Sequence, residues 1–295
     1  PYAVYVGQDA RASTKYAVYV SQSGLGMPDR DYYLEAKQAG VKEKYQAHVE
    51  KMLAMAGDKN AAARAKAVVA LETALAEVQW TKVENRDPVK RYNKTDINKL
   101  NDLTPGYDLK SSLAALGIAN KVDYVIVNQP SYLAGYNKVL ASSDLDTVKA
   151  YFEWQLLRSY ASYLSKNFVD ESFAFYGTVL SGVTENQPRW KRGVGAVEGV
   201  LGEAVGKLYV AQYFPAERKA HMQELVKNVL AAYKDSIDTL DWMSPETKKE
   251  AQAKLAKFTP KIAYPNKWRD YSKLQIVPGD LVGNMMRAAN FGSAR

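Results

Sequence analysis

The run VKAYFEWQLLRSYASYL, residues 148–164, is apolar around most of its circumference when wound as a helix. Such a helix cannot lie with one broad face in water. It must be covered on several sides, and that demands a body of further helices. The chain supplies them. Val41, Tyr45, His48, Val49, Met52, Leu53 and Ala56 recur at helical spacing on one face, and Gly57 with Asp58 ends that helix. A second stripe, Ala65, Val68, Leu71, Leu75 and Val78, predicts a helix over about residues 59–83. More helices are predicted near 170–181, 188–213, 215–240, 244–257 and 278–291. Only residues 1–22 alternate apolar with polar, as YAVYVGQ and KYAVYVSQ, which reads as a strand pair joined by a polar loop. Residues 86–110 are rich in turn formers, with at most one short helix near 95–101; KVDYVIV reads as a short strand and NQPSYL as the turn after it. The fold class is mainly α, a multi-helix body with a short N-terminal β-strand pair.

With 295 residues and 47% hydrophobic content the chain can bury a sizeable core, and its length points to about two domains. Cysteine is absent, which excludes disulfides and thiolate metal sites but leaves an oxidising compartment open. No apolar run approaches the roughly 20 residues of a membrane span. The net charge of +8 is spread over interleaved acidic and basic residues, as in SPETKKEAQAKLAK, so it reads as solvated helix faces and not as a nucleic-acid surface. No leader and no initiator methionine open the sequence, so residue 1 reads as an internal start.

Candidates for catalysis are scarce. Of two histidines, His48 lies on the apolar face above and reads as a packed imidazole. His221 has Glu224 one turn later, yet one such pair supplies two ligands where a zinc site needs three or four. No G-x-S-x-G elbow accompanies either. The run GVGAVEGVLGEAVGK fails the phosphate-loop and dinucleotide spacings. Its Gly195, Gly199, Gly202 and Gly206 share one helix face instead, a smooth stripe expected to let a neighbouring helix approach, so that Gly199→Leu or Gly202→Leu would overpack. The segment LGMPDRDYYL, Leu25–Leu34, sits where extended chain turns to helix: Pro28 suits a first turn, and Asp29 and Asp31 place negative charge at a helix start.

LGMPDRDYYL, KMLAMAGD, PSYL, FAFYG, PRWKRGVGAVEGVLGEAVGKLYVAQYFP, DWMSPETKKEAQAKLAKF and KIAYPNKWRDYS, in this order, resemble the neprilysin-type zinc metallopeptidases, peptidase family M13, with endothelin-converting enzyme and bacterial PepO among its members. The lack of cysteine is closer to the bacterial members. The resemblance runs from about residue 10 to the end. It implies zinc held by an H-E-x-x-H helix and a later E-x-x-x-D, with the helix glutamate as general base; neither motif occurs in residues 1–295, so no catalytic or metal-binding residue carries over. The chain then reads as an internal portion. Residues 1–35 form the strand pair and a crossing on the catalytic side, 36–262 a helical lid, and 263–295 a return toward the zinc-binding domain. At the crossing, Asp29, Arg30 and Asp31 cap a helix and fix its angle while Tyr32 and Tyr33 pack into the seam; a plain helix start is the alternative. The implied function is the lid of a zinc endopeptidase acting on peptides of limited size, partnered by the C-terminal catalytic segment as a second chain, in the periplasm or cell exterior. A non-catalytic helical module that binds peptides or proteins is the other reading.

Overall fold

A computed structural model describes residues 1–294. The chain opens with β1 (Tyr2–Asp9) and β2 (Ala12–Gln22), an antiparallel pair. Their turn is tied by Asp9, whose Oδ1 accepts from the amides of Arg11 (2.8 Å) and Ala12 (3.2 Å), the local bonding at which a short carboxylate excels. A single helical turn, α1 (Asp31–Leu34), leads into α2 (Ala39–Met55) and α3 (Ala61–Val78). Gly57, at φ 94°, takes the left-handed conformation that ends α2, as its place in the sequence predicts. Then come β3 (Asn93–Asp96), α4 (Leu109–Ala115), β4 (Tyr124–Val127), α5 (Pro130–Ser142) and α6 (Leu145–Tyr160). Helix α7 (Lys166–Ser172) runs into a π-helical turn, Phe173–Val179. Helices α8 (Arg189–Tyr213), α9 (Ala216–Thr239), α10 (Pro245–Ala256) and α11 (Leu281–Ser293) follow. The sheet order is β1-β2-β4-β3, with β2 parallel to β4 and β3 antiparallel to it.

Two compact units result, Pro1–Asn186 and a second from Gln187 onward. The strand pair is built into the first unit because β2 registers with β4, Val18 against Val125 and Val20 against Val127. The core of this unit is aromatic and aliphatic: Trp154, Tyr45, Tyr132, Tyr151, Met52 and Leu75 are fully buried where α2, α3, α5 and α6 meet.

Three expectations fail here for physical reasons. NQPSYL is no turn, because Pro130 stands at the first position of α5, where its missing amide costs nothing. Helix α6 is covered on one side only: Ala150, Tyr151 and Trp154 are buried, while Phe152 and Leu156 are each 56% exposed. The glycine stripe of α8 meets no helix within the described residues. A Cβ on Gly195, Gly199 or Gly202 would have no heavy atom within 4 Å, and one on Gly206 would meet only Trp268 at 3.6 Å. The run also weakens its own helix, which departs from helical geometry at Leu201 (φ −117°, ψ 25°). The close helix approach is made instead by Gly135 of α5, where a Cβ would come 2.6 Å from Val78 Cβ of α3.

In the second unit, among residues 187–294, no residue is buried. Polar ties hold its parts together: Glu203 accepts from the Arg269 amide (2.7 Å), Lys219 Nζ donates to the Tyr264 carbonyl (2.8 Å), and Gln252 Nε2 donates to Asp238 Oδ1 (2.8 Å). Gly199→Ala in residues 1–295 is therefore expected to raise stability by about 0.5–1 kcal/mol, since helix propensity is gained and nothing is struck. A urea midpoint lowered by this variant would restore the packed-stripe expectation.

Candidate functional site

The best-organised polar constellation surrounds the passage from β2 to α1, residues 23–34. Extended chain here must enter the helical body with its peptide groups bonded, and the helices supply the partners. The Ser23 carbonyl accepts from Tyr132 Oη (2.9 Å, α5) and Gln79 Nε2 (3.0 Å, after α3). The Gly24 carbonyl accepts from Tyr151 Oη (2.6 Å) and Gln155 Nε2 (3.3 Å), both on α6. The Gly26 carbonyl accepts from Tyr176 Oη (3.0 Å, π-helical turn) and Arg158 (3.3 Å, α6). The amides of Gly26 and Met27 donate to Tyr33 Oη at 3.0 and 2.9 Å. Gly24, at φ 97°, lies in the left-handed region, and a Cβ on Gly26 would overlap the Tyr45 hydroxyl. Only glycine passes through.

At the centre is Glu72 of α3, with none of its surface exposed. Its Oε2 accepts from Tyr33 Oη (2.7 Å) and its Oε1 from Gln155 Nε2 (3.0 Å). Burial pushes its carboxyl up to about 7, against the pull of the Tyr33 and Tyr45 hydroxyls and the Arg158 charge. Burial, then the neighbouring Glu72 carboxylate, holds the Tyr33 phenol well above its ordinary value. Tyr45 completes the arrangement, accepting from Trp154 Nε1 at 2.8 Å. A sealed carboxyl ringed by hydroxyls and a guanidinium clamps a backbone; nothing in it is placed to attack a substrate.

The predicted crossing residues divide between this clamp and its outer edge. Tyr33 is buried inside it, and Tyr32 packs half-buried against the core. Arg30 Nε donates to the Ala76 carbonyl (3.0 Å) near the end of α3, where a cation also suits the helix dipole. Asp29 accepts from the Asp31 amide (2.9 Å), and Lys82 pairs with Asp29 (2.7 Å) and Asp31 (3.5 Å). Pro28 is exposed and stands before the helix, which starts only at Asp31, so it shapes the turn and not the first helical turn. Sequence reasoning missed Glu72, Gln155, Arg158 and Tyr176. Glu72 had a signal: it is a carboxylate flanked by Val68, Val69, Leu71, Leu75 and Ala76, all of them on the buried face of α3.

His48 is packed as expected, 2% exposed, with Nδ1 2.9 Å from Glu171 Oε1 and its ring stacked on Phe175. Burial lowers its basicity, and the Glu171 carboxylate opposes that. His221 and Glu224 line an open recess on α9 with no third ligand beside them. Among the described residues no group of three or more His, Asp or Glu side chains could hold a metal ion, so the residues present do not fit a zinc site. Nor is any described helix long and apolar enough to cross a membrane.

Comparison with known proteins gives this geometry a context. The chain is similar to endothelin-converting enzyme 1 of Cavia porcellus, 29% identical over 98% of this chain and 40% of the relative. Neprilysin of Mus musculus is 28% identical over 89% of this chain and 38% of its own length. The crystal structure of Mycobacterium tuberculosis zinc metalloprotease Zmp1 in complex with inhibitor superposes with a TM-score of 0.91 at 41% identity, covering 100% of this chain and 45% of that one. The chain thus spans about 40% of the length of the endothelin-converting enzyme it matches. The profile described as peptidase family M13 matches residues 1–265, and the chain belongs to that family.

Proposed function

We propose that residues 1–295 are a mainly helical, internal portion of a zinc-dependent endopeptidase, forming the lid over a chamber that admits peptides of limited size. The observation carrying this reading is the superposition of the entire chain on a zinc metalloprotease that is more than twice as long. The described residues do not fit a zinc site, so in this reading the metal ligands and the groups that act on the scissile bond belong to the rest of the polypeptide, whether continuous or held as a second chain. The periplasm or cell exterior is the proposed compartment. In this reading the clamp around residues 23–34 fixes the direction in which the chain enters the helical body.

The test uses the full-length protein with one short and one long peptide. Cleavage of both is expected, lost on zinc chelation and regained on adding zinc. Arg30→Ala, which removes the bond to the end of α3, is expected to lower kcat/KM for the long peptide about threefold or more while the short one changes little, because the opening alters and the bond-breaking groups do not. Equal fractional changes in both would make Arg30 a structural cap only. Absence of zinc-dependent cleavage would reject the function itself.

A further inference from the structure

We propose that Gln155 and Arg158 of α6 form a pH-operated latch on the passage at Gly24–Gly26, in which the Arg158 guanidinium leaves the Gly26 carbonyl and pairs with Glu72 as the solution turns from mildly acidic to mildly alkaline. The latch lies wholly within the first unit, Pro1–Asn186, and does not rest on the peptidase reading. Each glycine carbonyl of the passage has two donors of different kinds. Gly24 takes a short bond from Tyr151 Oη (2.6 Å) and a long one from Gln155 Nε2 (3.3 Å). Gly26 takes a shorter bond from Tyr176 Oη (3.0 Å) and a long one from Arg158 Nη1 (3.3 Å). If the α6 donors leave, neither carbonyl is stripped, because its tyrosine stays. Gln155 joins the two charged groups: its Nε2 also donates to Glu72 Oε1 (3.0 Å), and its Oε1 accepts from Arg158 Nη2 (2.9 Å). The guanidinium therefore stands one amide side chain away from the carboxyl. Both of its bonds go to neutral oxygens, and its Nε is buried with no partner among the described residues. A fork with an idle buried donor is better satisfied on a carboxylate, which accepts two parallel bonds.

The proton on Glu72 is what keeps the fork on Gly26. Burial pushes this carboxyl up to about 7, so in mildly acidic water it is neutral and offers the guanidinium no charge. Once pH rises through that value, a carboxylate forms with none of its surface exposed. An unpaired buried charge costs far more than one long hydrogen bond, so the pair is preferred. The groups that face Glu72 decide which of them answers. Tyr33 of α1, Tyr45 of α2, Tyr151 of α6 and Tyr176 of the π-helical turn are phenols that burial holds above their ordinary values, so they stay neutral throughout and supply no countercharge. Arg158 is the cation whose charge reaches Glu72. His48 of α2 also titrates in this region, with its ring centroid 5.5 Å from that of Tyr176. Burial lowers its basicity, so it is already neutral where Glu72 ionises. The latch is thus closed on Gly26 below about pH 7 and released above it.

The test is a pair of crystal structures of the full-length protein, from crystals equilibrated at about pH 5.5 and about pH 8.5, on either side of the Glu72 transition. At the lower pH, Arg158 is expected on the Gly26 carbonyl and on Gln155, as here. At the higher pH, two of its nitrogens are expected about 2.9 Å from the Glu72 oxygens, with the Gly26 carbonyl left to Tyr176 alone. Glu72→Gln, which cannot ionise, is expected to keep the low-pH arrangement at both values. Arg158 found on Gly26 at both values in the parent would overturn the proposal, and that comparison stands even if the variant fails to fold. The same movement in Glu72→Gln would also overturn it, since another group would then be the trigger. Nothing in this readout depends on peptide cleavage, so its failure is distinguishable from failure of the enzymatic assay.

Discussion

Gly26→Ala is expected to destabilise residues 1–295 by about 3 kcal/mol, the upper range for overpacking a closed core. The added methyl would overlap the Tyr45 hydroxyl and come 2.7 Å from its Cζ and 3.2 Å from Glu72 Oε1. Tyr45 has nowhere to go. It is fully buried, with ring centroids of Tyr33, Trp154 and Phe175 at 6.2, 6.0 and 5.3 Å, and its hydroxyl is held by Trp154. Gly40→Ala, at a position with nothing within 4 Å, is the matched control and should be neutral or mildly stabilising. In a Tyr45→Phe background the overlapped oxygen is gone, so the cost of Gly26→Ala should shrink measurably in a double-mutant cycle. Urea midpoints decide it, and a loss below about 1 kcal/mol would mean that the crossing segment shifts freely.

Glu72→Gln should change the pH dependence of stability by a similar amount. The Glu72 carboxyl rises from 4.5 to about 7 on folding, so between these values the folded chain binds more protons than the unfolded one. Stability from this group is accordingly full below pH 4.5 and is lost as pH rises toward 7. The total is about 3 kcal/mol from the size of the shift. Glutamine carries no charge to bury, and its single carbonyl oxygen can still accept from one of the two donors, Tyr33 Oη or Gln155 Nε2. The variant should therefore gain about 2–3 kcal/mol relative to the parent on going from about pH 5 to about pH 8, with the parent's own unfolding midpoint falling over that range. Parallel midpoints across the range would show that Glu72 stays charged, held by Arg158 and the Tyr33 and Tyr45 hydroxyls.

The helices beyond residue 187 were legible almost to their ends because their starts are marked locally: Pro188, Pro215, Ser244 with Pro245, and Asp280 stand where the chain enters α8 to α11. Ser244 and Asp280 accept bonds from the amides of Thr247 and Gly283, so each boundary is a property of a few adjacent residues. Strand β3 was not legible. Asn93–Asp96 is polar throughout, and it becomes a strand only because Tyr124–Val127 lies beside it. The start of helix α5 was lost because NQPSYL reads as the turn after a strand, while Pro130 opens the helix. The glycine stripe shows the limit from the other side, since spacing reveals that a face is smooth but not whether anything lies on it. The clamp was half legible. LGMPDRDYYL marked the passage, yet its partners Gln155 and Arg158 come from more than a hundred residues away, a distance over which no local pattern operates.

The parallel pairing of β2 with β4 also governs the order in which the molecule can be made. Val18 must wait for Val125, and everything from Ser23 to Asp123 is synthesised between them. At about 5–20 residues per second, a ribosome leaves the β2 edge unpaired for roughly 5–20 s. During that interval β1 and β2 exist as an isolated hairpin, a marginal structure in water. Val18 and Val20, destined for the core, are then open to any passing strand. Nascent chains paused before residue 125 should be the species most dependent on chaperones, and the hairpin, which leaves the ribosome ahead of β4, among the last parts to become secure.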